Sequence, residues 1–299
     1  MSSKGAARSR GQQLAWMVPA ALVALVVVVL VARWLREVPA VAGFITDYPG
    51  TTELPETAPV GLPAWVGWQH FLNAFLLVFI VRSGWLIRTT QRPKGHWQPR
   101  KAARGKKPVR ISLNLWLHLA ADALWVLNGL VFAVLIFVTG HWMRIVPTSW
   151  DVFPHALSVG IQYLSLDWPV HGSWVHYNAL QVLSYFVTVF VAAPLALVTG
   201  LRMSPVWPAS WRFVPISLAR ALHFPLMVYF VAFTVVHVTL VLATDAQGNL
   251  NHMFAARNDG SWLGLVYFGI ALALMVAAWV VAKPVFTQPV AALTGKVTR

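Results

Sequence analysis

The chain has 299 residues, of which 58% are hydrophobic and 11% charged, with a mean hydropathy of +0.64 and a net charge of +14. Soluble chains carry about 25% charged residues, so a soluble globular protein is excluded and an all-α, multi-pass membrane bundle is expected. The absence of cysteine excludes disulfides, thiolate-held iron–sulfur clusters, thiolate zinc sites and haem attached through C-x-x-C-H.

In chain order, six apolar runs approach or exceed the roughly 20 residues that a spanning helix needs. They lie at 14–32, 66–87, 112–138, 178–200, 218–242 and 261–282. Prolines and glycines punctuate the connections, as in YPG at 48–50 and TG at 199–200. The first run precedes Ala40-Val41-Ala42, which resembles a signal-peptidase site. Its long core, separated from that site by Arg33 and Arg36, reads instead as an uncleaved anchor. Three parts are expected: 1–63 with the anchor and an outer loop, 64–285 as a transmembrane domain, and 286–299 as a cytoplasmic tail.

Basic residues set the orientation. With the N-terminus inside the cell, nineteen Lys and Arg fall inside and four outside (Arg33, Arg36, Arg144 and Arg257). Eight of the nine acids fall outside, and the ninth, Asp122, lies within a helix. The C-terminus then returns to the cytoplasm. The positive charge orients the chain and meets anionic lipid of the bilayer; no nucleic-acid partner is expected. The run 92–110 reads as a solvated basic loop.

The stretch ARALHFPLMVYFVAFTVVHVTLVL, from 219 to 242, carries His223 and His237 fourteen positions apart. In an α-helix this interval is roughly 21 Å of rise and a net turn of about 40°. The two imidazoles therefore share a face at two depths, which suits two stacked sites. His118, early in the third run, matches His223 near the inner face, and His70, opening the second run, matches His237 near the outer face. Facing pairs of neutral imidazoles are what six-coordinate b-type haem requires, with helices filling in round the porphyrin. Gly84 and Gly129, at the depths of the inner and outer pairs, would let backbone approach haem, although helix packing also favours glycine. His141, His176 and His252 lie near outer helix ends and compete as outer ligands. His96, His155 and His171 read as loop or interfacial residues.

Asp122 stands one turn from His118 on the same face. It is read as a hydrogen-bond partner of a ligating histidine, as a proton acceptor at a quinol site, or as a neutral acid bonded to a neighbour such as Asn128. Arg82, Arg88, Arg110 and Arg220 gather at inner helix ends, where they would pair with haem propionates or serve as positive-inside anchors. No nucleophile or metal-activated water site appears. The rival readings are a haem-free proton-coupled transporter and a passive membrane anchor subunit.

The pattern of one histidine on each of two successive core helices, with two fourteen apart on a later one, resembles the four-helix di-haem cytochrome b subunits. That superfamily includes bacterial cytochrome b561, the cytochrome b subunit of nickel–iron hydrogenases and the gamma subunit of formate dehydrogenase. TGHWMRIVP (139–147), YNALQVLSYF (177–186) and TGLRMSP (199–205) look like the branch that serves molybdopterin oxidoreductases. The resemblance covers about residues 60–285. It implies that His70, His118, His223 and His237 ligate two b-type haems. It further implies electron transfer between the quinone pool and a peripheral redox subunit, here expected outside the cytoplasm. The helix at 14–32 and the stretch GWQHFLN at 67–73 depart from the family pattern.

Overall fold

The computed structural model describes residues 10–101, 108–169, 172–208 and 210–298. His171 and the basic residues Lys4, Arg8, Arg104, Lys106, Lys107 and Arg299 lie outside the described residues. Among those described, six helical spans are long and apolar enough to cross a membrane: Ala15–Glu37, Ala64–Thr89, Leu113–Val138, Ala179–Met203, Ile216–Ala255 and Leu263–Val281. Each covers one of the six expected runs. The chain is a multi-pass helical membrane protein.

The spans are built inside out relative to a soluble helix. In α4 (Leu113–Val138) the buried positions include Ala121 and Asn128, while Leu124, Leu127, Leu130 and Val134 are exposed. The same holds for α3 (Ala64–Thr89), which buries Gln69 and Ser83 and exposes Trp68 and Trp85. Large apolar side chains face outward because the surrounding solvent is hydrocarbon. Small and polar ones face inward, where helices approach closely and hydrogen bonds are made within the protein.

By contact the chain divides into two compact units. The first comprises Met1–Pro55, Arg144–Gly172 and His176–Tyr185. It holds α1 (Arg10–Glu37), α2 (Pro39–Asp47), α5 (Val152–Leu164) and most of α6 (Ala179–Phe186). Val152 and Ala156 of α5 pack with Ala179 and Val182 in its core. Arg33 Nε donates to the Ser165 carbonyl at 3.0 Å, and Arg36 reaches both Ser165 Oγ at 2.9 Å and Asp167 at 2.5 Å. These two arginines tie the end of α1 to the end of α5. His155 lies on α5, where its Nδ1 accepts from Gly50 N at 3.0 Å. Arg144 is 2% exposed, with its guanidinium 4.9 Å from the Tyr177 ring. Burial lowers the Arg144 pKa and raises that of Tyr177.

The second unit comprises Glu56–Met143, Ser173–Val175 and Phe186–Arg299. In it α3 packs along α4, α7 (Ala193–Met203) along α8 (Ile216–Leu250), and α9 (Leu263–Val281) against both α3 and α8. A π-helical stretch, Val187–Ala192, leads into α7. Inside α8 the backbone leaves helical geometry at Asp245, whose Oδ1 accepts from Gly248 N at 3.0 Å. Asp245 thus caps a new helical turn beyond the expected end of the fifth run.

One expectation is corrected here. The basic segment is not wholly a loop, because β1 (His96–Pro99) pairs antiparallel with β2 (Ile111–Ser112) and with β3 (Gly295–Thr298). His96 is therefore a strand residue paired with Thr298 and Ser112. The tail folds as α10 (Pro284–Thr294) followed by β3, and Trp97 Nε1 on β1 donates to the Ala291 carbonyl at 3.1 Å. At Gly295 any side chain would run into the Trp97 ring and the Gln98 carbonyl.

Beyond α8, the Asp259 carboxyl accepts from Ser261 N, Arg257 Nε and Asn251 Nδ2, which hold it well below the usual carboxylate range. Its folded pKa is depressed, so its stabilisation is present above the unfolded value of about 3.9 and is lost as pH falls through the folded one. Amide-exchange protection in the 251–261 turn should begin to fall as pH drops below about 3.9, and Asp259→Asn should raise exchange there at neutral pH. At the start of α4, Leu115 N donates to Ser112 Oγ at 3.2 Å. Ser112→Ala should lower unfolding stability by about 1 kcal/mol, measured by denaturation in detergent.

Candidate functional site

The candidate site is assembled on α8, which stays helical from His223 through His237. Because the two share a face, the neighbouring helices meet them at two depths. His118 of α4 faces His223 with ring centroids 6.2 Å apart and planes at 79°. His70 of α3 faces His237 at 6.1 Å and 49°.

The first pair is anchored from behind. Thr199 Oγ1 on α7 lies 2.9 Å from His223 Nδ1 and donates its own hydrogen to the Leu195 carbonyl at 2.7 Å. His118 Nδ1 lies 3.0 Å from Ser83 Oγ and 3.1 Å from the Ile80 carbonyl, both on α3. Ser83 Oγ in turn donates to the Phe79 carbonyl at 2.6 Å. The Ile80 carbonyl can only accept, so His118 carries its proton on Nδ1 and keeps a lone pair on Nε2.

Glycines sit where the rings need room. A Cβ at Gly84 would stand 3.2 Å from His118 Cε1, and one at Gly200 would stand 3.2 Å from His223 Cε1. Gly129, by contrast, is exposed and meets nothing within 4 Å. Asp122 Oδ2 lies 3.6 Å from His118 Nε2. The Asn128 Nδ2 atom is buried without a hydrogen-bond partner among the described residues, so Asn128 does not hold Asp122.

In the second pair, His70 packs edge-on against Phe254 at 5.9 Å, and its Nδ1 is buried without a hydrogen-bond partner among the described residues. His237 stacks on Phe233 at 5.6 Å with the planes 5° apart. Of the competing histidines, His252 is held at both ring nitrogens, by Ser173 Oγ at 2.7 Å and Asn258 Oδ1 at 2.9 Å. His141 Nδ1 is bonded to Thr139 Oγ1 at 2.9 Å.

The four expected arginines part company. Arg88 is exposed, with its guanidinium 4.0 Å from the ring of Phe224, the neighbour of His223. Arg82 donates to the Ala282 carbonyl and lies over Trp279. Arg110 joins His96 and Thr298 of the small sheet, and Arg220 is exposed.

Sequence reasoning missed Ser83, Thr199 and Gly200. The signal was available as a hydroxyl residue followed by glycine, Ser83-Gly84 and Thr199-Gly200, inside two apolar runs.

No family model matches this chain, and no solved structure matches it. Over 197 residues it is 27% identical to the putative protein-methionine-sulfoxide reductase subunit YedZ1 of Azospira oryzae. The similarity spans 60% of this chain and 88% of that protein.

Side chains at Gly84 or Gly200 would press directly on a ring. Gly200→Val should destabilise the fold by about 1–3 kcal/mol through overpacking. Gly269→Val, where a Cβ meets nothing within 4 Å, should leave the unfolding midpoint in detergent unchanged.

Proposed function

We propose that this chain is a membrane cytochrome b that holds two b-type haems. It carries electrons across the bilayer between the quinone pool and an extracytoplasmic redox subunit, of the molybdopterin-dependent kind. The observation that carries this reading is the presence of two facing imidazole pairs fourteen residues apart on one spanning helix. An iron between two imidazole nitrogens, each about 2.0 Å away as in other metal–histidine bonds, puts ring centroids about 6.3 Å apart once roughly 1.15 Å is added on each side. The observed separations of 6.1 and 6.2 Å fit that requirement. The hydrogen bonding of His118 fits as well, since its Nδ1 donates to the Ile80 carbonyl and its Nε2 is thereby available to ligate. The glycines beside these two rings fit a group that needs backbone close by.

When bound, haem supplies reversible one-electron exchange at iron. The chain supplies the rest. His118 and His223 would hold one haem and His70 and His237 the other, with α8 keeping the pairs roughly 21 Å apart. Arg88, exposed next to His223, is the best placed of the arginines to pair with a propionate; Arg220 is also exposed. Asp122, one turn from His118, would take up a proton from quinol at its carboxylate. With the termini in the cytoplasm, the His118–His223 pair lies on the quinone side and the His70–His237 pair on the partner's side. Segments 140–176 and 244–260 would then face the partner. The name of the Azospira oryzae relative supports a role as one subunit of an oxidoreductase.

The purified protein should show a b-type reduced-minus-oxidised spectrum with two haems per chain. A stably folded, haem-free protein would favour the transporter or the passive anchor instead. Replacing His118 or His223 by Ala should remove one haem and spare the other, as counted by pyridine haemochrome; equal loss of both would count against separate sites. Asp122→Asn should slow quinol-linked turnover while haem content stays at two, and unchanged turnover would reject the proton role.

A further inference from the structure

The C-terminal part of the second unit carries a surface that neither the spans nor the histidine pairs explain. Helix α10 contains no charged residue and begins at Pro284, three residues after the end of α9. Its Ala291, whose carbonyl accepts from Trp97 Nε1, is fully buried. Val285, Phe286, Val290 and Leu293 are exposed, Leu293 at 74%. At 3.6 residues per turn these four, with Pro289 and Ala292 among them, cover roughly 160° of the helix surface.

In water a stripe of this kind marks an interaction site, and this one starts at the membrane surface. Arg82, near the end of α3, donates to the Ala282 carbonyl just beyond α9 and lies over Trp279. The ends of α3 and α9 are thereby held level, and α10 leaves from that level. A charge-free apolar stripe there suits a helix lying in the interface.

Beside the stripe is a groove of about 640 Å³, lined by Lys94, Gln288, Val285, Pro289 and Val297 among others. Lys94 is exposed. Segments 92–112 and 283–299 contain no Asp or Glu. Among the described residues no carboxylate pairs with Lys94, Arg100, Lys283 or Lys296. The groove therefore joins apolar walls to positive charge that the described residues do not balance.

We propose that this groove binds an anionic phospholipid of the adjoining leaflet. Lys94 and Gln288 donate to the phosphate, and the acyl chains run along the stripe of α10. A zwitterionic lipid offers the same chains but no net charge to the basic cluster. Because β2 runs straight into α4, the lipid fastens a sheet that borders the helix carrying His118.

The test titrates the purified full-length chain in detergent with phosphatidylglycerol, or with phosphatidylcholine of the same acyl chains, and counts bound lipid by native mass spectrometry. Phosphatidylglycerol should bind more tightly, and Lys94→Gln should weaken it about fivefold, the effect of one basic residue at a lipid surface. Val285→Gln should weaken both lipids, whereas Arg212→Gln, an exposed charge outside the groove, should change neither. All three positions are exposed, so the lipid-free unfolding midpoint should not move. Equal affinity for the two lipids would overturn the proposal, as would equal losses in Lys94→Gln and Arg212→Gln. Glycerol phosphate binding as tightly as the whole lipid would overturn it in favour of a free phosphate. A dimer that blocks phosphatidylglycerol and that Leu293→Asp dissociates would assign the stripe to a second copy and overturn it too.

Discussion

An imidazole inside a bilayer has no water to bond with, so its two nitrogens must be satisfied by the protein or by what the protein binds. This constraint organises the second compact unit. His223 and His237 fix two levels on α8, and several neighbours at those levels suit a ring. At one level the hydroxyls of Ser83 and Thr199 are hydrogen-bonded to the Nδ1 atoms, and Gly84 and Gly200 clear space at Cε1. At the other level Phe233 and Phe254 form the walls. Helix packing follows from the same pattern, since α3 must reach both His118 and His237 while α7 must reach His223.

How far this could be read from sequence depends on the range of the interaction. The six spans are stretches of single-sign hydropathy, so their positions are visible in the chain alone. Spacing within one helix is equally visible: fourteen positions on α8 place His223 and His237 on one face by geometry. The partners of Nδ1 are of a different kind. Ser83 is 35 residues from His118, and Thr199 is 24 from His223, so each contact depends on helix packing that no local pattern encodes. The small sheet was hidden for a similar reason. Four residues of β1 acquire extended structure only by pairing with a tail strand nearly two hundred residues later, and a short basic segment alone reads as solvated loop.

The arginines show how chemistry that is right in general can be reassigned by one neighbour. All four stood at helix ends on the expected inner side, but a guanidinium bonds whatever acceptor is closest. Arg82 meets the Ala282 carbonyl at the end of α9, and Arg110 meets the Thr298 hydroxyl of β3. Both now fasten the C-terminal segment to the bundle. Arg88 is left over Phe224, one residue from His223, with its charge exposed at the level of the His118–His223 pair. The number of basic residues on a side sets orientation, whereas their individual partners decide which of them can serve a ligand.

Asp122 carries the last step. A carboxylate in mid-helix costs roughly 2.5–3.5 kcal/mol on insertion scales, a penalty that a helix of this hydropathy has no structural reason to accept. Asn128 does not supply one, because six positions along an α-helix put it about 9 Å away and on another face, and its side-chain nitrogen is unbonded among the described residues. The atom Asp122 does approach is His118 Nε2, at 3.6 Å, the nitrogen that the Ser83 and Ile80 contacts leave without a proton. A lone pair and a carboxylate at that distance repel unless a proton or a cation stands near both. On the proposed reading, in which Nε2 would hold a metal, Asp122 would stand within 3.6 Å of the ligating nitrogen, where positive charge would have to be accommodated.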